Sequence, residues 1–152
     1  MKLFETSGDI VELANGIFEE TGLPQLGVEL KIISTTKAKS ILKVQRANAT
    51  THFLTKKDVV LIVYEEAFDR LTEEHKTLLL TGALSNVAYD TEKDKLLVEM
   101  DFAKEIIRMR RKYPNYVDVA EESYMIIEQI EEEERRRKEE ERLAKKEKKN
   151  NK

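Results

Sequence analysis

Two histidines, His52 and His75, and no cysteine are all that this chain offers, beyond its carboxylates, for holding a transition metal or pairing a nucleophile with a base. The lack of cysteine excludes disulfides, thiolate zinc sites and cysteine nucleophiles. A catalytic zinc takes about three protein ligands and keeps one position open for water, so two separate histidines would need carboxylates brought to them by the fold. Asp90, Asp94 and Asp101 are the candidates, since hard oxygen ligands near a helix end could hold a cation. The simpler reading of those acids is a polar turn. His75 follows Glu73 and Glu74 in the first turn of a predicted helix, and His52 falls in Thr51-His52-Phe53, a predicted loop or strand edge. Both are read as exposed side chains rather than ligands. The 5 glycines are scattered singly, so there is no loop to cradle a phosphate.

Cations form the other chemical constellation. Arg135, Arg136, Arg137 and Lys138, then Lys145, Lys146, Lys148 and Lys149, could neutralise phosphates, helped by Arg108, Arg110, Arg111 and Lys112. Glu139 to Glu141 interrupt that run, and no aromatic side chains are interleaved to stack on bases.

The elements that must position these residues follow from periodicity. Ile10, Leu13, Ala14, Ile17 and Phe18 recur at helical spacing after Ser7 and Asp9 and stop at Gly22-Leu23-Pro24. Residues 28–32 alternate with period two and 41–45 do so more weakly, predicting two strands of one sheet. Asp58 to Tyr64 is almost continuously apolar, as suits a strand in a sheet's interior. Thr72 with Glu73 and Glu74 starts a helix predicted to run to Ala88, with Leu80, Ala83, Leu84 and Val87 on one face. A charged turn at 90–95 and a short strand at 96–100 come next. A helix from near Asp101 should stop before Pro114, and a last helix starts near Asp118. From Glu131 nearly every residue is charged. Glu131 with Arg135 and Glu134 with Lys138 support an exposed helix through pairs four apart, fraying toward Asn150. The expectation is an α+β domain over 1–130, with a small mixed or antiparallel sheet packed with helices, and a charged helical tail over 131–152.

The stretch from Asp58 to Lys76, with Leu78-Leu79, Leu84, Tyr89-Asp90 and Glu92-Lys93-Asp94-Lys95, resembles the phage metallopeptidases, a family of small zincin-like proteins. The resemblance covers roughly residues 7–110. Active-looking members carry His-Glu-Leu-x-His on the helix and a further His before a downstream Asp. Aligned on Tyr89-Asp90, those positions fall on Gly82, Ala83, Asn86 and Met100. Gly82 has no side chain, Asn86 is a neutral oxygen donor, and Ala83 cannot take a proton from zinc-bound water. A Gly inside a helix costs roughly 1 kcal/mol against Ala, so Gly82 is read as a site of close packing or drift.

The resemblance thus implies a degenerate member: no catalytic or metal-binding residues, no cofactor and no peptidase activity. On this reading the chain is a phage-encoded interaction protein that binds a protein partner, a host factor or a virion component. The candidate surface is the tail, whose acidic half from Glu121 to Glu134 and basic half from Arg135 to Lys152 favour docking to opposite charge or antiparallel self-association. Two alternatives stand beside it: nucleic-acid association through the basic tail, and a metallopeptidase with a non-standard site. The formal charge of -3, the 38% of charged residues and the short apolar runs argue against membrane insertion. Met1 to Thr6 lacks a secretory pattern, so the expected address is the cytoplasm of the infected host cell, or the virion.

Overall fold

The computed structural model describes residues 1–151. Helix α1 (Gly8–Glu20) buries Ile10, Ala14, Ile17 and Phe18. The chain leaves it through Gly22, whose φ of 79° lies in the left-handed region where a Cβ is disfavoured. Strands β1 (Leu3–Glu5), β2 (Leu30–Thr35), β3 (Leu42–Arg46) and β4 (Val59–Tyr64) form a four-stranded mixed sheet in the order β1-β2-β4-β3. β2 and β4 are parallel, while β1 on β2 and β3 on β4 are antiparallel. The apolar run therefore does lie inside the sheet. Val59, Leu61 and Val63 are wholly buried, and Val60 and Tyr64 nearly so. The two alternating segments belong to one sheet, but β4 separates them.

Helix α2 (Ala49–Thr55) lies between β3 and β4, α3 (Glu65–Phe68) is a single turn after β4, and α4 (Glu73–Leu84) follows. Thr72 caps α4, its hydroxyl accepting from His75 N at 3.3 Å. Strands β5 (Val87–Asp90) and β6 (Lys95–Val98) make a separate hairpin. Helix α5 (Phe102–Lys112) is capped by Asp101, whose Oδ1 accepts from Ala103 N at 2.9 Å. It stops before Pro114, with Tyr113 extended, as the proline's clash with a helical predecessor requires. Helix α6 (Tyr116–Asn150) is 35 residues long.

Three expectations are corrected, and one strand is added. Helix α4 ends at Leu84, so Val87 and Ala88 are strand, and Asp90 and Lys95, expected in the charged turn, are the facing ends of β5 and β6. The turn lies between them, where Asp94 takes a φ of 48°. His52 sits in α2, which Asn48 caps by accepting from Thr51 N at 2.7 Å. Strand β1 carries no periodic pattern and exists because its backbone pairs with β2. Helix α6 begins at Tyr116, two residues before Asp118.

In α6, Tyr116, Val119, Ala120, Ser123, Ile126, Ile127 and Ile130 are buried at helical spacing, and burial stops there. Beyond Ile130 the helix continues unbroken to Asn150, exposed throughout except at half-buried Glu134. About 30 Å of helix therefore carries no core. Among the described residues, no helix is long and apolar enough to cross a membrane.

Candidate functional site

Gly82, Ala83 and Asn86 lie at the C-terminal end of α4, where α5 and the start of α6 cross it. A Cβ built on Gly82 would overlap the Tyr116 hydroxyl and lie 2.6 Å from its Cζ and 2.9 Å from its Cε2. The glycine is there because the phenol occupies the space a side chain would fill. Tyr116 is 1% exposed, and its hydroxyl donates to Glu105 Oε2 at 2.7 Å. Glu105, 8% exposed on the inner face of α5, accepts from Asn86 Nδ2 at 2.6 Å through its other oxygen. Arg108 then donates to Asn86 Oδ1 at 3.0 Å and to Ser85 Oγ at 2.8 Å. Ser85 in turn donates to the Gly82 carbonyl at 2.6 Å. The result is a continuous chain of hydrogen bonds joining three helices, with both oxygens of the buried carboxylate satisfied.

Zinc, which the family resemblance implies, does not fit these residues. Gly82 has no room for a ligand, Asn86 has both ends of its amide engaged, and Ala83 is a buried methyl. Met100 is 64% exposed, outside the network. Asp90 is used locally, accepting from Glu92 N and Lys93 N at 3.0 and 3.2 Å, and Asp101 is the α5 cap. Among the described residues no three His, Asp or Glu side chains come together.

His75 is half-buried rather than exposed, which corrects the sequence reading. Its Nδ1 lies 2.5 Å from Glu122 Oε2 on α6, without hydrogen-bond alignment. His52 Nε2 lies 3.3 Å from Asp58 Oδ1, an exposed contact tying α2 to the start of β4. Each histidine thus meets a single carboxylate. An open groove of about 530 Å³ between α1 and α4 is lined by Glu12, Gly16, Glu20, Thr77 and Thr81 among others, and its two threonine hydroxyls donate to carbonyls of their own helix, at Glu73 and Thr77.

Burial, with the charge of Glu105 and the hydrogen bond to it behind, pushes the Tyr116 hydroxyl far above its ordinary value. The folded protein therefore holds this proton at pH values where an unfolded tyrosine, near 10, has lost its own. A raised folded-state value gives stability that is complete below about pH 10 and lost as pH rises beyond it, by at most about 1.4 kcal/mol per pH unit for one proton. Denaturant titrations at pH 9, 10 and 11 should show this extra loss in the parent and a shallower one in Tyr116→Phe. Equal slopes would remove Tyr116 as the cause.

In the tail, Arg135, Arg136, Arg137 and Lys138 are consecutive on a helix and so point in successive directions around it, roughly 100° apart. Three tail cations are matched within the arm: Arg135 to Glu132 at 3.0 Å, Lys138 to Glu134 at 3.1 Å and Arg142 to Glu139 at 2.7 Å. Arg135 thus takes the glutamate three residues back rather than Glu131. Lys145 and Lys146 are exposed near the tip. At the root, Arg70 donates to both oxygens of Glu133, at 3.2 and 2.7 Å, and this bond holds the Glu133 carboxyl below the usual range. The pair ties the root of the arm to the turn that follows α3.

Sequence reasoning missed Tyr116 and Glu105 as partners of Gly82. Two signals were present: a glycine within a helix, and a Glu on the same helical face as Ile106 and Met109. Together these features define an α+β domain whose three-helix junction is tied by a polar network that runs from buried Tyr116 and Glu105 to exposed Arg108, and whose last helix projects as a charged arm. No protein-family model, curated protein or solved structure matches the chain.

Proposed function

We propose that the chain is a non-catalytic interaction protein, encoded by a phage and built on a degenerate zincin-like metallopeptidase scaffold, which binds a protein partner through the arm of α6. The phage setting and the zincin ancestry rest on the resemblance over residues 7–110. The host-cell cytoplasm or the virion is the corresponding place of action. Support for a loss of peptidase chemistry comes from the position of Tyr116 against Gly82, which replaces a ligand site with packed phenol. The observation that carries the binding role is the exposed continuation of α6 past Ile130. A helix with no buried side chain contributes little to its own domain, and its alternating charge blocks offer a stiff, patterned surface to another molecule.

The test compares the full chain with a version ending after Ile130. The shortened chain should keep the thermal midpoint within a few degrees and lose helical circular dichroism in proportion to the residues removed, because the core ends at Ile130. Used as baits in extracts of infected cells, the two should differ, with the specific partner retained only by the full chain. Identical partners would eliminate the arm as the binding surface. Stoichiometric zinc in protein purified without chelator would overturn the non-catalytic reading.

A further inference from the structure

We propose that the outer face of α5, not the basic tail, is a docking surface for the phosphodiester backbone of a nucleic acid. The five cations of α5, Lys104, Arg108, Arg110, Arg111 and Lys112, are all exposed, while its one acid, Glu105, is buried and committed to Tyr116 and Asn86. Lys104, Arg108 and Arg111 follow the i, i+4, i+7 line along about 10 Å of one helix face, with Arg110 next to Arg111, while Lys112 lies at the groove that Glu12 and Glu20 also line. Of the ion pairs found among the described residues, only Lys104 to Glu99, at 3.5 Å, involves this helix. The tail cations, by contrast, are partly matched by their own glutamates and distributed around the helix. Arg108 is also held in place by the neutral acceptors Ser85 and Asn86, which orient its guanidinium without neutralising it.

Cations in the last turn of a helix do favour its carbonyl end, and that accounts for Arg110, Arg111 and Lys112 in part. It does not account for Lys104 near the start, nor for the absence of an exposed acid within α5 itself. A helix face whose three arginines, Arg108, Arg110 and Arg111, have no carboxylate partner and can grip phosphate with two nitrogens matches a linear polyanion. An acidic protein is the less fitting partner. Protein interfaces are anchored by aromatic or aliphatic groups in pockets, and this helix exposes only Phe102, at its start and edge-on to Tyr124, and Ile107 among its charges.

The experiment measures anisotropy of labelled single-stranded DNA, duplex DNA and RNA with the full chain across a salt series. Parent protein should bind at 50 mM salt and weaken about 40-fold by 200 mM if about three phosphates are neutralised. Arg110→Glu with Arg111→Glu, both exposed, should cut binding at 50 mM salt at least tenfold with the circular dichroism spectrum unchanged. Lys145→Glu with Lys146→Glu should change it less than threefold. No binding at low salt, equal loss from the tail variant, or competition by polyglutamate as effective as by unlabelled DNA would each overturn the proposal, the last in favour of an acidic protein partner.

Discussion

Replacing Gly82 with alanine should destabilise the fold by about 1–2 kcal/mol, although alanine is the better helix former by about 1 kcal/mol. The new methyl would fall on the Tyr116 phenol, which cannot move aside easily because it is buried and tied to Glu105. Overpacking thus outweighs propensity. Gly16 in α1 is the internal control, since a Cβ there meets nothing within 4 Å. Gly16→Ala should be neutral or stabilising by up to about 1 kcal/mol. Urea denaturation of both variants decides the matter, and a Gly82→Ala protein as stable as the parent would refute the account of this glycine. Gly82→His, which puts back the side chain expected at a zinc ligand position, should be worse still and should not create a metal site.

The second large effect is expected at Glu105. Glu105→Ala removes the acceptor for both the Tyr116 hydroxyl and Asn86 Nδ2 and opens a void among three helices. Buried donors left without partners cost about 1–3 kcal/mol each, so a total loss of about 2–4 kcal/mol follows after partial relaxation. Glu105→Gln should cost less, about 1–2 kcal/mol. Its amide oxygen can still accept from Asn86, while its amide nitrogen faces a phenol whose own proton then lacks an acceptor. The ordering of the two variants is the diagnostic. If alanine proved no worse than glutamine in thermal or chemical denaturation, the network would be bystander polarity rather than the lock of the α4–α5–α6 junction.

Much of the fold could be read along the chain wherever the physics is local. The apolar run in β4 demanded a covered strand, Thr72 with two acids demanded a helix start, and Pro114 demanded a stop. Where pairing or capping decides, the pattern misled. Strand β1 is a three-residue edge piece held by β2, α2 is a Thr-rich segment held helical by the Asn48 cap, and Ser85-Asn86-Val87 continued the helical period past the true end of α4.

The candidate site divides the same way. That Gly82, Ala83 and Asn86 cannot serve as zinc ligands and a base follows from side-chain chemistry alone, and so does the solvation of a tail in which almost nothing is apolar. The identity of the atoms filling the space at Gly82, and which cations of α5 and α6 meet a carboxylate, belong to tertiary structure alone. Residue type and helical period act within a few positions of one another. Tyr116, Glu105 and Gly82 meet only because three separate helices bury their apolar faces together, and no local pattern carries that information.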